Sequence, residues 1–345
     1  MEKQWAFAFR LILLLFLAIG AIWLLYSIAW IIGLLLISIL IVYILYPLLL
    51  YLKSKFRLSH GLATTLVFIV FLLFCILLIS LLIPVVYIEA AELADNFPHY
   101  LARFQEYLEW FSQQTVKLDV EEEVRNYFLN LSENLHQAFE YLAEASLSLI
   151  GGAIDFFIVL FLVFYILYDF HSIRKQLIEL VPLARRPFAE ELVSIIDLNV
   201  GSFIRGSLLR CLIVGIVTGT VLYIAGMPYA MLLGLLAGLF NFILYIGPYI
   251  AAVPAVLLSF SPLTPSPIVV ILIYIVIQTL DGILLAPIVL GRIVKLKPIT
   301  VIVAILAGGK LAGLLGMVLA VPVAGIIKSI LEVIKRSPAY QEPNE

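Results

Sequence analysis

Asp281 is the only acidic residue between Asp197 and Glu332, and it lies about halfway along an apolar stretch. A charge at the centre of a membrane helix costs about 2.5–3.5 kcal/mol on insertion scales, so such residues are paired or functional. Gln278 stands three residues before it, which puts the two side chains on one helix face. This pattern points to a proton- or cation-coupling carboxylate with a hydrogen-bonding neighbour. The alternative is a structural ion pair with Arg210, Arg292 or Lys310.

Two breaks in apolar sequence supply further candidates. Asn241, Tyr245 and Gly247 lie at the Tyr245-Ile246-Gly247-Pro248 break, where freed backbone carbonyls can coordinate a cation or hydrogen-bond a polar solute. Lys310 sits in the glycine-rich run Ala307-Gly308-Gly309-Lys310-Leu311-Ala312-Gly313. It suits an answering charge for Asp281, a contact to an anionic or hydroxylated substrate, or a side chain that snorkels to the interface. Arg205 can close the cytoplasmic end of a span or act as a plain positive-inside anchor. Asp155 and Asp169 flank one span and read as helix-end carboxylates in interfacial water.

Enzyme chemistry finds no support. The sequence Thr279-Leu280-Asp281 does not supply the Gly-x-Gly-Asp context of an intramembrane aspartyl protease. No His-Glu-x-x-His or Gly-x-Ser-x-Gly occurs, and His60, His99, His136 and His171 are scattered. Gly308-Gly309-Lys310 is followed by neither Ser nor Thr, so it is no Walker loop and no ATP-driven pump is expected. Cys75 and Cys211 each stand alone in apolar runs, as small core residues do. No cofactor is expected, and a net charge of −2 gives no basic footprint for nucleic acid.

The elements that carry these residues must lie in lipid. Hydrophobic residues make up 64% of the 345-residue chain and charged residues 13%, with a mean hydropathy of +1.15. A soluble domain runs near about 45–50% apolar and about 25% charged, so a soluble enzyme and a disordered chain are both excluded. Residues 11–52 are uncharged, and a helix of that length would reach ~63 Å, about twice the hydrocarbon core. They must form two spans turning near Tyr26–Trp30, the first an uncleaved anchor rather than a signal peptide. Further spans fit residues 58–88, 147–168, 206–226 and 267–290. Between them, residues 89–148 carry twelve acidic against three basic residues, with apolar positions at helical spacing. That pattern predicts a water-exposed, extracytoplasmic helical hairpin. From Pro187, apolar residues to Phe203 predict a helix along the interface.

Two units remain, 228–260 and 298–327, each long, apolar and interrupted by Gly and Pro. Single crossings would place Arg292, Lys295 and Lys297 outside, against the positive-inside rule. If each unit enters and leaves on one side, 16 of 21 basic residues fall in cytoplasmic segments and both termini are cytoplasmic. The units also resemble each other. Met227-Pro228 leads to Ala252-Val253-Pro254, and Lys297-Pro298 leads to Ala320-Val321-Pro322, with proline spacings of 26 and 24 residues. Inverted repeats with discontinuous helices build the midplane substrate site of secondary transporters. Ordinary kinked spans are the alternative. Tandem Gly-x-x-x-Gly spacing at Gly215–Gly219, Gly234–Gly238 and Gly309–Gly313 suits close helix packing.

The expected fold is an all-α polytopic membrane protein with about six full spans, two re-entrant or broken helical hairpins forming an inverted repeat, and an extracytoplasmic helical hairpin. It divides into an N-terminal three-span region (1–88), the acidic hairpin (89–148), a fourth span with interfacial helices (149–205), a transport core (206–330) and a cytoplasmic tail (331–345).

Several phrases resemble the autoinducer-2 exporter family, also called PerM-like permeases. They are Gly226-Met227-Pro228-Tyr229-Ala230, the run from Asn241 to Pro248, Gln278-Thr279-Leu280-Asp281, Pro287 to Gly291, Gly316 to Pro322, and Phe203-Ile204-Arg205-Gly206. The resemblance covers nearly the whole chain. It implies a multi-span transporter of the inner membrane that forms a homo-oligomer, a pentamer. Members are associated with export of autoinducer-2 and some with sodium/proton antiport. Ser207 stands where the family usually has Gln, and Leu244 where it usually has Pro before the Tyr-Ile-Gly motif. Three functions follow as expectations. The first is a secondary transporter exporting a small polar solute through a site near Asn241, Gln278 and Asp281. The second is a sodium(lithium)/proton antiporter using Asp281, and the third a membrane scaffold whose acidic ectodomain binds a partner.

Overall fold

The computed structural model describes residues 29–114, 134–135, 137–142, 144, 153–183, 186–262, 264–290 and 296–336. The first expected span and the turn of the acidic hairpin lie outside these residues. Every described element is helical. The elements are α1 (Ala29–Phe56), α2 (His60–Gln114), α3 (Ala153–Glu179), α4 (Arg186–Ile224), α5 (Ala230–Phe240), α6 (Gly247–Leu258) and α7 (Pro267–Leu280), the last continued by a π-helix at Asp281–Leu290. Pro298–Arg336 is broken at Ala312 and Gly313, where φ is −141° and +57°. The break separates α8 (Pro298–Gly313) from α9 (Gly316–Leu331).

Five of the described helices are long and apolar enough to cross a membrane: Trp30–Phe56, His60–Tyr107, Ile154–Glu179, Arg186–Ile224 and Pro267–Ile288. These correspond to the second through sixth expected spans. The chain is an all-α polytopic membrane protein. Its apolar surface turns outward, since only 6% of the most apolar window of α2 is buried within the chain. Lipid, or another copy, must cover the rest.

The uncharged run 58–88 is too long for one bilayer crossing and predicts a span that projects from the membrane, as α2 does, whereas α4 is longer than its sequence pattern suggests. Helix α2 has 55 residues and runs unbroken through Pro84 and Pro98. At the α-helical rise that is a rod of roughly 80 Å, so the third span and the first arm of the acidic segment are one element. Similarly, α4 joins the expected interfacial helix to the fifth span without interruption. No proline lies between Phe188 and Ile224 to stop it.

The two interrupted units are helical hairpins. In the first, α5 has 11 residues and α6 has 12 residues. Arms of that size reach roughly 17 Å and roughly 18 Å, too short to cross about 30 Å of hydrocarbon. Residues 241–246 turn the chain, with Tyr245 in the left-handed region at φ 68°. A Cβ on Gly247 would collide with the Phe240 carbonyl, so the return is closed by a residue without a side chain. In the second, α8 and α9 fold back so closely that a Cβ on Gly308 or Gly316 would strike the other residue's backbone.

Among the described residues, three clusters hold the bundle. Val42, Leu45 and Leu49 of α1 pack with Ala63, Val67, Val163 and Leu167. The extended part of α2 contributes Ala90, Leu93, Ala94, Phe97 and Phe104 against both arms of the first hairpin. Around α4, Val200, Phe203 and Ile204 pack with Ile243 from the first hairpin and with Val301, Ile305, Ala320 and Val321 from the second. The two hairpins therefore meet on one helix.

Candidate functional site

The α4–α5 crossing is a contact between backbones. A Cβ on Gly234 would lie 2.6 Å from Gly219 Cα and 2.8 Å from the Gly215 carbonyl oxygen. One on Gly238 would lie 2.8 Å from the Cys211 carbonyl oxygen. Small residues at four-residue spacing let the axes approach this far. The crossing sets the antiparallel register: Gly219 beside Gly234, Gly215 and Cys211 beside Gly238, and Phe203 and Ile204 in one cluster with Ile243. Asn241, between Gly238 and Ile243, therefore comes level with the α4 turn that holds Ser207 and Arg210.

Arg210 faces α7. Its Nε donates to Asp281 Oδ1 at 2.6 Å, and its Nη2 donates to Asp281 Oδ2. The two side chains are 7% and 0% exposed. This bidentate fork is the strongest form of carboxylate pairing. Among the three basic residues considered as partners for Asp281, the structure brings up Arg210. Lys310 is exposed near the break of the second hairpin and makes no ion pair among the described residues, and Arg292 lies outside them. Asp281 also marks the passage from α-helix to π-helix, a distortion that recurs at functional sites.

The other sequence candidates lie on several elements. Gln278 is half-buried one turn before Asp281. Asn241 is 1% exposed, and among the described residues neither its Oδ1 nor its Nδ2 has a hydrogen-bond partner. Tyr245 is about half exposed at the break. Arg205 stands apart, donating from Nη1 to the Tyr43 carbonyl at 3.0 Å and so tying α4 to α1. Close by, Tyr43 Oη donates to Asp197 Oδ1 at 2.8 Å, Arg174 pairs with Asp197 Oδ2 at 3.4 Å, and Asn199 Nδ2 donates to Ser329 Oγ at 3.1 Å. Asp155 accepts from Trp30 Nε1 at 3.3 Å.

One feature escapes sequence reasoning, and a second shows in sequence only as a departure from the family's usual residue. Glu89 of α2 accepts the Leu232 N–H at 2.7 Å, satisfying one of the free donors at the start of α5. Beside it, Tyr229 is in the left-handed region at φ 54°, and its Oη accepts from Asn96 Nδ2 at 3.3 Å. Burial, then the neighbouring Tyr100, pushes the Tyr229 phenol up to about 12, so it stays a neutral hydroxyl. Ser207 is the second feature: it is 2% exposed, and its Oγ has no hydrogen-bond partner among the described residues. No sequence signal marks Glu89 as a cap 143 residues away from its helix. Ser207 is marked in sequence by standing where the family usually has Gln, but its burial is not.

Comparison with known proteins bears on the whole chain. A family model described as AI-2E family transporter matches residues 11–336. YrrI of Bacillus subtilis (strain 168), named as a transport protein, is 31% identical over 253 residues, covering 72% of this chain and 71% of that protein. PerM of Escherichia coli (strain K12), named as a permease, is 25% identical over 295 residues, covering 82% of each.

Proposed function

This chain belongs to the AI-2E transporter family, and from that premise we propose that it is a secondary transporter exporting a small polar solute, autoinducer-2 or a related molecule. The observation that carries this reading is the meeting of two short helical hairpins on α4, beside a buried Arg210–Asp281 pair. The arms of the first hairpin, roughly 17 Å and roughly 18 Å long, cannot cross the hydrocarbon core singly. Irregular backbone at membrane depth is tolerated where protein or a watery cavity surrounds it. The hairpins enter from opposite faces and return to the face they came from, as an inverted repeat does. Residues 206–330 form the transport core, with Asn241, Gln278 and Asp281 near the midplane and Tyr245 and Gly247 shaping the first break. Lys310 serves the second break and Arg205 the cytoplasmic end. The termini are cytoplasmic, the membrane is the inner one, and the exposed apolar faces of α1–α3 are covered by lipid and by further copies in a homo-oligomer.

The test is counterflow in proteoliposomes. Saturable flux of autoinducer-2, independent of sodium, is expected. Wild-type protein that carries no small polar solute at all overturns the reading. A sodium/proton antiporter is the second reading, favoured by a fully buried carboxylate in the middle of α7 and its extension. It requires sodium flux driven by a pH gradient and lost in Asp281→Asn.

A further inference from the structure

Buried polar atoms are nearly always hydrogen-bonded, and a buried pair of exceptions needs a reason. Among the described residues three carry buried side-chain atoms without a hydrogen-bond partner, Ser207, Thr218 and Asn241. Thr218 lies about three turns further along α4, away from the 241–246 break, and Ser207 departs from the habit of its own chain. In helices, Ser38, Thr64, Thr279 and Ser329 each donate a hydroxyl to the carbonyl four residues earlier. Ser207 Oγ does not, although the Phe203 carbonyl stands at the same spacing. Among the described residues Asn241 is without a partner at both ends, so turning the amide over satisfies nothing. The α4–α5 register places both residues on one level, between the glycine crossing and the Ile243 cluster. At the break, the carbonyls of Asn241, Phe242 and Tyr245 accept no backbone hydrogen bond among the described residues.

We infer that Ser207 and Asn241 are the two halves of a binding site for an uncharged solute that both donates and accepts hydrogen bonds. The inference rests on the transporter reading and narrows it. The donor set selects the ligand. Asn241 Nδ2 carries two N–H donors that a bare cation cannot satisfy. Oδ1 is an acceptor that an anion cannot satisfy. The hydroxyl of Ser207 takes either role. The formal charges one turn away, Arg210 and Asp281, are spent on each other. A vicinal hydroxyl pair on a small neutral molecule fits this set, donating to Oδ1 and accepting from Nδ2 and Oγ. With Ser207 and Asn241 2% and 1% exposed, the site is closed in this conformation, and loading requires the 241–246 break to move.

The test uses the full chain in lipid nanodiscs. Equilibrium dialysis measures binding of radiolabelled erythritol and ribose, with sodium and acetate as charged probes. Ser207→Ala is expected to weaken binding of the neutral probe about tenfold, the worth of one hydrogen bond, and Asn241→Leu by more. Both variants should unfold thermally no earlier than wild type, because each removes an orphaned group rather than a contact. Four results overturn the assignment: no neutral probe binds wild type; sodium or acetate binding is what Asn241→Leu removes; both substitutions leave neutral binding unchanged; or both lower thermal stability, as loss of a structural water would. Flux of the same probes separates this from the transporter reading. Flux that survives both substitutions removes the site and leaves transport standing. Binding without any wild-type flux removes transport and leaves the site.

Discussion

Breaking the Arg210–Asp281 pair from one side should cost far more than deleting it whole. The two side chains are 7% and 0% exposed. Solvent therefore screens neither group, and the roughly 0–1 kcal/mol typical of surface pairs does not apply. Asp281→Leu leaves a buried guanidinium with two stranded donors, and Arg210→Met leaves a buried carboxylate with two stranded acceptors. Each should lose about 3–5 kcal/mol. Replacing both by apolar side chains of similar size is often neutral, so the double variant should fall within about 2 kcal/mol of wild type. The two single losses together come to about 6–10 kcal/mol. The cycle therefore predicts an interaction of at least about 4 kcal/mol. Equilibrium unfolding in mixed detergent micelles, followed by circular dichroism, measures all four proteins. If the double loss equals the sum of the singles within about 0.5 kcal/mol, the pair is not the closed buried unit described here. The same double variant then separates architecture from coupling. A stable protein with unaltered transport and unaltered pH dependence assigns the pair to holding α4 against α7. Lost transport in a stable protein assigns it to the transport cycle.

Other positions give independent checks. The first Cβ of Gly234→Val would stand 2.6 Å from Gly219 Cα and 2.7 Å from its nitrogen, whereas Gly282 has open space around it. Gly234→Val should therefore destabilise by at least about 1–3 kcal/mol, and Gly282→Ala should unfold like wild type in the same assay. Glu89→Ala removes the acceptor of the Leu232 N–H and should cost about 1 kcal/mol. Glu92→Ala should cost less, because the nearby bonds from Asn96 and Tyr229 use its backbone carbonyl. In a background with Cys75 and Cys211 replaced, Lys297→Cys should react with an impermeant maleimide only from the cytoplasmic side, and Ser261→Cys only from the opposite side. Both labelled from one side would refute the opposed hairpins.

Lipid as the solvent, the position of each described span and the location of both breaks were legible in the residues themselves. The reason is that hydropathy, proline and glycine act locally. About twenty apolar residues call for a helix, and Tyr245-Ile246-Gly247-Pro248 cannot continue one. The uncharged run 58–88 is already longer than one bilayer crossing, so the projection of α2 was legible too. The same locality explains the shortfall at α4, since nothing in sequence showed that the interfacial helix and the fifth span are one rod. The partner of Asp281 was open among three basic residues, and the fold settled on one 71 residues away. Ser207 showed in sequence only as a departure from the family's usual Gln, and its place level with Asn241 came with the packing of α5. Both outcomes depend on how deeply one helix sinks into the other. At the α4–α5 crossing that depth is set by four glycines whose backbones touch, a distance that exists only once the chain has folded.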